Sequence, residues 1–276
     1  MLRRGRHRRL AGFSLNRMIP NVLTLLALCA GMTAIRFAIT GKYEAAVVSI
    51  IIAGIFDGLD GRAARMLKSS SAFGAQLDSL SDFISFGVAP AVLLYIWTLA
   101  QLASFGWAVA VFFAICCSLR LARFNSELNL DLPAYAQKFF TGVPAPGGAG
   151  IAILPLIVEF EYPTGIFRYP FVTAVVVVLA AALMVSRIPT LSFKRIRLPH
   201  NFVVPTLLGI GIIAAFFATA PWPTLAAVGL AYLASIPFTV RSYNRMKKAA
   251  EAAAPVVPPA ASDGLKLIAG SETGTG

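Results

Sequence analysis

Eight long apolar segments follow one another along the chain and leave no room for a sizeable soluble domain. A helix crosses the hydrocarbon core of a bilayer, about 30 Å thick, with about 20 mostly apolar residues. Segments of about this kind lie near 21–40, 43–66, 74–101, 105–124, 146–160, 169–187, 201–220 and 222–241. The fifth is short and contains Pro155, so six or seven spans are alternatives. The sequence predicts an all-α, polytopic transmembrane helix bundle.

The basic residues predict how this bundle is oriented. If the N-terminus is cytoplasmic and eight spans alternate, only Arg36, Lys42 and Arg168 of the 24 Lys and Arg residues fall on the external side. Cytoplasmic loops of membrane proteins carry the excess of Lys and Arg. We therefore predict that both termini are cytoplasmic. In a chain that is 58% hydrophobic, the net charge of +12 reflects this topology and does not indicate nucleic-acid binding.

Composition divides the chain into three regions. Residues 1–18 are predicted to form a basic cytoplasmic or interfacial segment, and residues 19–245 a transmembrane domain. The segment 10–19 is either an amphipathic interfacial helix or simply a basic flank. Residues 246–276 are rich in Ala, Pro and Gly and are predicted to be a disordered cytoplasmic tail.

Four of the 12 acidic residues, Asp57, Asp60, Asp78 and Asp82, lie at the facing ends of the second and third spans. A carboxylate in the middle of a membrane costs roughly 2.5–3.5 kcal/mol on insertion scales, so an acid within a span marks a candidate functional site. Spacings of three and four residues place each pair on one helix face. Because the connection at 66–73 is short, we expect the two acidic faces to meet near the cytoplasmic surface.

Four carboxylates at close range repel one another and need compensating positive charge. Two divalent cations balance four aspartates, and ligand sets made only of oxygen favour Mg²⁺ or Mn²⁺ over Zn²⁺. Such a site suits phosphoryl chemistry, because the ions hold phosphate oxygens and neutralise developing charge. An ion or proton pathway, or simple pairing of aspartates with Arg62 and Arg65, are the alternatives that the residues alone leave open.

The acidic residues belong to a longer motif. The sequence DGLDGRAAR at 57–65 is followed, after eight residues, by GAQLDSLSD at 74–82. It resembles the signature of the CDP-alcohol phosphatidyltransferases, D-x-x-D-G-x-x-A-R, eight residues, then G-x-x-x-D-x-x-x-D, at every defined position. The resemblance implies transfer of a phosphoalcohol group from a CDP-alcohol to an acceptor hydroxyl, with release of CMP. It also implies a homodimer whose subunits have a six-helix core around a cavity, here with two extra C-terminal spans.

The same resemblance implies roles for individual residues. Asp57, Asp60, Asp78 and Asp82 match the family's metal ligands, and Asp82 also matches its general base. The positions that match contacts to the cytidine diphosphate part of CDP-diacylglycerol are Gly61, Ala64, Arg65 and Gly74.

Four further segments point to one branch of the family. IPNVLTLL at 19–26, RLARFN at 120–125, FTGVPAP at 140–146 and MVSRIPTLSFK at 184–194 resemble bacterial phosphatidylserine synthases. The implied substrates are CDP-diacylglycerol and L-serine, the implied product is phosphatidylserine, and the implied location is the lipid of a bacterial inner membrane, with the active site on the cytoplasmic side.

An acceptor that carries a carboxylate needs a cation in its pocket. Arg120 and Arg123, with Asn125 just after them, are candidates, because arginine binds carboxylates and phosphates with two parallel hydrogen bonds. Asn21 and Thr24 are candidates for hydrogen bonds to a head group. For the arginines the alternative is a purely topological role under the positive-inside rule, and for Asn21 and Thr24 it is helix capping.

Two rival functions remain at this level. The same chemistry with glycerol 3-phosphate, inositol, inositol phosphate or choline as acceptor would preserve every aspartate. A non-enzymatic transporter with an acidic intramembrane site would be expected to spread its acids or broken helices over two repeats. Here one contiguous motif contains them, which favours the enzyme.

Overall fold

The computed structural model describes residues 15–67, 69, 71–127, 139–191 and 203–253. Within these residues each of the eight predicted spans coincides with a helical stretch. They are α1 (Leu15–Ile39), α2 (Tyr43–Met66), α3 (Ala72–Asp82) continued through a π-helical turn (Phe83–Val88) into α4 (Ala89–Trp97), α5 (Ala103–Glu127), α6 (Ala145–Glu161), α7 (Pro170–Val185), α8 (Val203–Thr219) and α9 (Pro221–Ala253). The prediction of an all-α polytopic bundle is confirmed.

Four helices among the described residues are long and apolar enough to cross a membrane: Met18–Ile39, Ala72–Trp97, Leu99–Ser126 and Pro221–Tyr243. Shorter apolar helices lie at Pro170–Val185 and Pro205–Thr219. The helix α2 carries aspartates and arginines within its length, and α6 has only 17 residues. The chain is therefore a membrane protein, and the number of eight spans stays a prediction.

The first two helices pack closely because small side chains line their contact. Ala34, Ala38, Ala46 and Ala53 are completely buried. Small residues let helix backbones approach each other in membrane proteins, where packing rather than water exclusion holds helices together. The helix α1 also packs against α3, the π-helical turn and α4. It thus contacts both helices that carry the acidic motif.

A short antiparallel pair of strands, called the β1–β2 clip below, joins the segment before α6 to the segment after α7. β1 (Phe139–Thr141) pairs with β2 (Pro189–Leu191), and Phe140 lies opposite Thr190. Gly142, just after β1, has a φ of +77°, and a Cβ there would lie 2.6 Å from the carbonyl oxygen of Met184. Only glycine fits this turn without strain. The clip fixes the start of α6 against the end of α7.

The ends of the chain agree only in part with the predicted regions. Helix α1 begins at Leu15, inside the predicted basic segment 1–18, and α9 continues to Ala253, past the predicted start of the tail at 246. A helix therefore occupies the first residues of that predicted tail. Residues 1–14 and 254–276, to which most of both predictions refer, lie outside the described residues.

Candidate active site

Carboxylates from two helices meet in one cluster, as the sequence predicts. Oxygen atoms of Asp57 and Asp60, on α2, and of Asp78, on α3, all lie within 4.8 Å of one another. The carboxyl group of Asp82, one turn beyond Asp78, lies close enough to that of Asp57 for the two groups to interact. The short connection between α2 and α3 folds both ends of the motif onto the same place.

The helix α1 supplies the hydroxyl that orients one member of this cluster. Thr24 Oγ1 donates a hydrogen bond of 2.6 Å to Asp60 Oδ2. The carbonyl oxygen of Thr24 accepts one of 3.0 Å from Ser81 Oγ, and that of Ala27 accepts one of 3.2 Å from Ser85 Oγ. The sequence suggested Thr24 as a contact to a head group, whereas the structure places it on an aspartate. The two serines were not predicted.

A π-helical turn follows the last aspartate of the motif directly. It spans Phe83–Val88 and contains Gly87, where a Cβ would lie 3.2 Å from Cys117 Sγ on α5. Such turns are rare in proteins, and those that occur often lie at functional sites, because they redirect the residues around them. Apolar periodicity carries no signal for this turn, and the sequence predicted one continuous span.

A cavity of about 300 Å³ opens beside the aspartates. Six residues predicted to bind substrate line it together with Asp60 and Asp78: Asn21, Thr24, Gly61, Ala64, Arg65 and Gly74. Asn125, from the end of α5, lines it too and donates a hydrogen bond of 2.8 Å to Ser79 Oγ. The remaining lining residues, which the sequence analysis missed, are Pro20, Ser69, Ser71, Ala75 and Phe124.

Helix geometry gives this cavity two levels. Residues four apart on a helix are about one turn, or 6 Å, apart along its axis. Asp60 therefore lies about one turn deeper in α2 than Ala64, and Asp78 lies equally deeper in α3 than Gly74. Asn21 belongs to the outer level, because a Cβ on Gly74 would lie 3.1 Å from its Oδ1. The acids form the inner level, and small and neutral polar residues form much of the outer one.

The start of α3 is fixed by a local cap. Ser71 precedes the helix in an extended conformation, and its Oγ accepts a hydrogen bond of 3.0 Å from the backbone N–H of Gly74. Serine is among the preferred residues at this position because its side chain satisfies a helix N–H that has no partner within the helix. The cap holds Gly74 against Asn21.

The carboxylates suit a divalent cation. Asp78 Oδ1 is buried and has no hydrogen-bond partner among the described residues. Burying a carboxylate oxygen without a partner is costly, and a cation satisfies several such oxygens at once. The three clustered aspartates and Asp82 offer only oxygen ligands, and such a ligand set fits Mg²⁺ or Mn²⁺. The residues present therefore fit a metal site, as the sequence predicts.

The two candidate acceptor arginines lie beside the cavity rather than on its wall. Arg120 is 5% exposed, its Nε donates a hydrogen bond of 3.1 Å to the carbonyl oxygen of Val143, and its guanidinium lies over the ring of Phe124. Arg123 Nη1 donates one of 2.7 Å to the carbonyl oxygen of Val185. Both side chains thus tie α5 to the segments around the β1–β2 clip.

Replacing Thr24 with Val is expected to weaken Mn²⁺ binding by about 10–100-fold, the usual effect of removing a group that orients a metal ligand. Valine keeps the shape of the side chain but cannot donate to Asp60. Mn²⁺ titration followed by electron paramagnetic resonance measures the affinity. Thr33→Val is the matched control, because the hydroxyl of Thr33, on the same helix, donates to the carbonyl oxygen of Cys29 and to no aspartate among the described residues. Equal affinities for both variants would contradict the assignment.

Comparison with known proteins gives matches over the whole described site. A model of the family CDP-alcohol phosphatidyltransferase matches residues 17–188, and a second, CDP-alcohol phosphatidyltransferase 2, matches residues 201–237. A protein from Mycobacterium bovis is 39% identical over 82% of this chain and 79% of its own length. One from Helicobacter pylori is 32% identical over 71% and 81%, and one from Bacillus subtilis 34% identical over 64% and 92%. All three relatives are named CDP-diacylglycerol–serine O-phosphatidyltransferase.

Proposed function

The chain belongs to the CDP-alcohol phosphatidyltransferase family, and on that basis we propose that it transfers the phosphatidyl group of CDP-diacylglycerol to the hydroxyl of L-serine, forming phosphatidylserine and CMP. The observation that carries the proposal is the cluster of motif aspartates, two of which, Asp60 and Asp78, line a cavity together with the other motif residues. The names of relatives at 39% and 32% identity support serine as the acceptor.

We assign the metal site to Asp57, Asp60, Asp78 and Asp82, with two Mg²⁺ or Mn²⁺ ions. When bound, these ions supply positive charge that holds the pyrophosphate oxygens and stabilises CMP as the leaving group. The protein's own contribution is to preorganise the carboxylates. Thr24 orients Asp60, and the Ser81 contact to the backbone of Thr24 keeps α3 in register with α1.

The outer level of the cavity suits the cytidine part of the donor. Ala64 and Gly74 leave space beside the backbone at this level, Gly61 does so next to Asp60, and Arg65 provides a positive charge. A cavity of about 300 Å³ is at the lower end of the range for ligand pockets. It therefore accommodates the polar head of CDP-diacylglycerol but not its acyl chains, which we place in the surrounding lipid.

Asp82 is the proposed general base. It accepts the proton of the serine hydroxyl as that oxygen forms a bond to the β-phosphorus, while the bond from this phosphorus to the bridging oxygen breaks and CMP leaves. We propose direct displacement without a covalent enzyme intermediate. Cys116 and Cys117 are buried and Cys29 lies on α1 in an apolar run. Positioning of donor and acceptor thus contributes much of the rate enhancement.

The acceptor region is proposed to include Arg120, Arg123 and Asn125. Arg120 is the buried cation among them, and the charge and planar shape of a guanidinium suit the serine carboxylate. We further propose a homodimer in a bacterial inner membrane, with cytoplasmic termini and the cavity open toward the cytoplasm. Cross-linking in native membranes and cysteine labelling of both termini test these two statements.

The decisive experiment measures CMP release by purified protein in detergent with CDP-diacylglycerol. Serine, glycerol 3-phosphate, inositol and choline are offered in parallel, each with Mg²⁺, Mn²⁺ or excess chelator. We expect release with serine only, and only with metal. Release with another acceptor would overturn serine as substrate while keeping the chemistry. No release with any acceptor, from protein shown to be folded, would overturn the enzymatic function.

A further inference from the structure

The helix α9 brings a polar group into the bundle that the mechanism so far does not use. Tyr232 lies on the part of α9 that packs against α6, and its hydroxyl oxygen is buried with no hydrogen-bond partner among the described residues. Buried hydroxyls are nearly always paired, so an unpaired one calls for an explanation. A partner that arrives with a substrate is one such explanation.

The surroundings of this hydroxyl connect it to Arg120. A Cβ on Gly147, at the start of α6, would lie 3.1 Å from the hydroxyl oxygen of Tyr232 and 3.2 Å from Cγ1 of Val143. The carbonyl of Val143 in turn accepts the hydrogen bond from Arg120 Nε. The phenol and the guanidinium therefore flank the same turn at the start of α6.

The same region adjoins the proposed general base. Cys117 lies about one turn before Arg120 on α5 and packs against Gly87, in the π-helical turn that follows Asp82, where a Cβ would lie 3.2 Å from its Sγ. A base for a hydroxyl proton and a cation for a carboxylate are thus near the same side chain. A small hydroxy amino acid carries a hydroxyl and a carboxylate a few bonds apart, which matches this pair of groups.

We propose that Tyr232 completes the acceptor subsite: its phenolic O–H donates to the carboxylate of the acceptor amino acid, beside the Arg120 guanidinium. This inference rests on the proposed function, since it requires an acceptor with a carboxylate. It extends the site to α9, which lies outside the segment 17–188 matched by the first family model. The hydroxyl is closed to solvent in this structure, so acceptor binding has to loosen its contact with Gly147.

Tyr232→Phe tests the inference, because phenylalanine keeps the ring against Gly147 and removes only the hydroxyl. Initial rates of CMP release are measured against serine concentration and, separately, against CDP-diacylglycerol concentration. We expect the KM for serine to rise about 10–100-fold, as for loss of a hydrogen bond to a charged group. The KM for CDP-diacylglycerol and the rate at saturating serine should stay within about twofold of the unaltered protein.

Tyr169→Phe is the matched control, since Tyr169 is 65% exposed just before α7, and it should leave both KM values unchanged. An unchanged KM for serine in Tyr232→Phe would overturn the inference. So would equal increases in both KM values or a lower saturating rate alone, because these indicate a general structural effect. The acceptor panel with unaltered protein distinguishes this inference from the proposed function. If unaltered protein releases no CMP with serine, the proposed function is overturned. If only the expected effect of Tyr232→Phe is missing, the proposed function stays intact.

Discussion

Asp82→Asn is expected to lower the rate of CMP release by roughly 10²–10⁴-fold, the range typical for loss of a positioned general base. Asparagine has nearly the same shape, but its amide does not accept a proton at neutral pH. The amide N–H of the asparagine can donate to the neighbouring carboxylate of Asp57, so we expect a folded, membrane-inserted protein. At saturating Mn²⁺ the loss should appear in kcat, because the proposed acceptor contacts do not involve Asp82.

The control for this variant is Glu44→Gln, which removes an exposed carboxylate from the first turn of the same α2 that carries Asp57. It should release CMP at the normal rate. Mn²⁺ affinity separates the two roles assigned to Asp82. If Asp82→Asn binds Mn²⁺ as weakly as Asp78→Asn does, the residue acts chiefly as a metal ligand. Normal turnover by Asp82→Asn would refute both roles.

Asp78→Asn is expected to weaken Mn²⁺ binding by more than 100-fold and to reduce CMP release at low metal concentration by a similar factor. The effect should exceed the 10–100-fold typical for groups that only orient a metal ligand, because Asp78 belongs to the carboxylate cluster itself. The replacement removes one negative charge, and the asparagine amide can turn its N–H donors toward a metal site that is formed by carboxylate oxygens. Its Oδ1 has no protein partner among the described residues whose loss would disturb folding.

Two measurements check this result. Binding is followed by electron paramagnetic resonance of free Mn²⁺, and CMP release is followed as Mn²⁺ is raised far above the level that saturates the unaltered protein. Partial recovery of the rate at high Mn²⁺ is expected, since weaker binding is overcome by mass action. Unchanged Mn²⁺ affinity in Asp78→Asn, or an unaltered protein that keeps its activity in excess chelator, would contradict the metal assignment.

The helical architecture was predictable because the length of an apolar segment is set directly by the bilayer. The internal structure of the third span was not. Hydropathy registers Phe83–Val88 as apolar but does not distinguish a π-helical turn from α-helix. The β1–β2 clip joins residues about 50 positions apart, such as Phe140 and Thr190, and no local pattern signals that pairing.

The sequence predicted those residues of the candidate site whose insertion into a membrane costs free energy and those that are adjacent in sequence. Carboxylates near a membrane span stand out, and motif spacing fixes their helix faces. Contacts between distant segments were not accessible: the hydrogen bond from Thr24 to Asp60 joins α1 to α2, and Phe124 enters the cavity from α5. Arg120 and Arg123 look alike in the sequence as cytoplasmic cations, but each bonds a different carbonyl through the fold.

The walls of the cavity come from three stretches of chain, 20–24, 60–78 and 124–125, and this spacing has a consequence for biogenesis. A ribosome adds about 5–20 residues per second. At this rate a few seconds separate the synthesis of Asp82 from that of Phe124, so α1, α2 and α3 are made before the α5 side of the cavity exists. The early hydrogen bond from Thr24 to Asp60 is available throughout that interval, so the first helix shields the acids from lipid before the enzyme is complete.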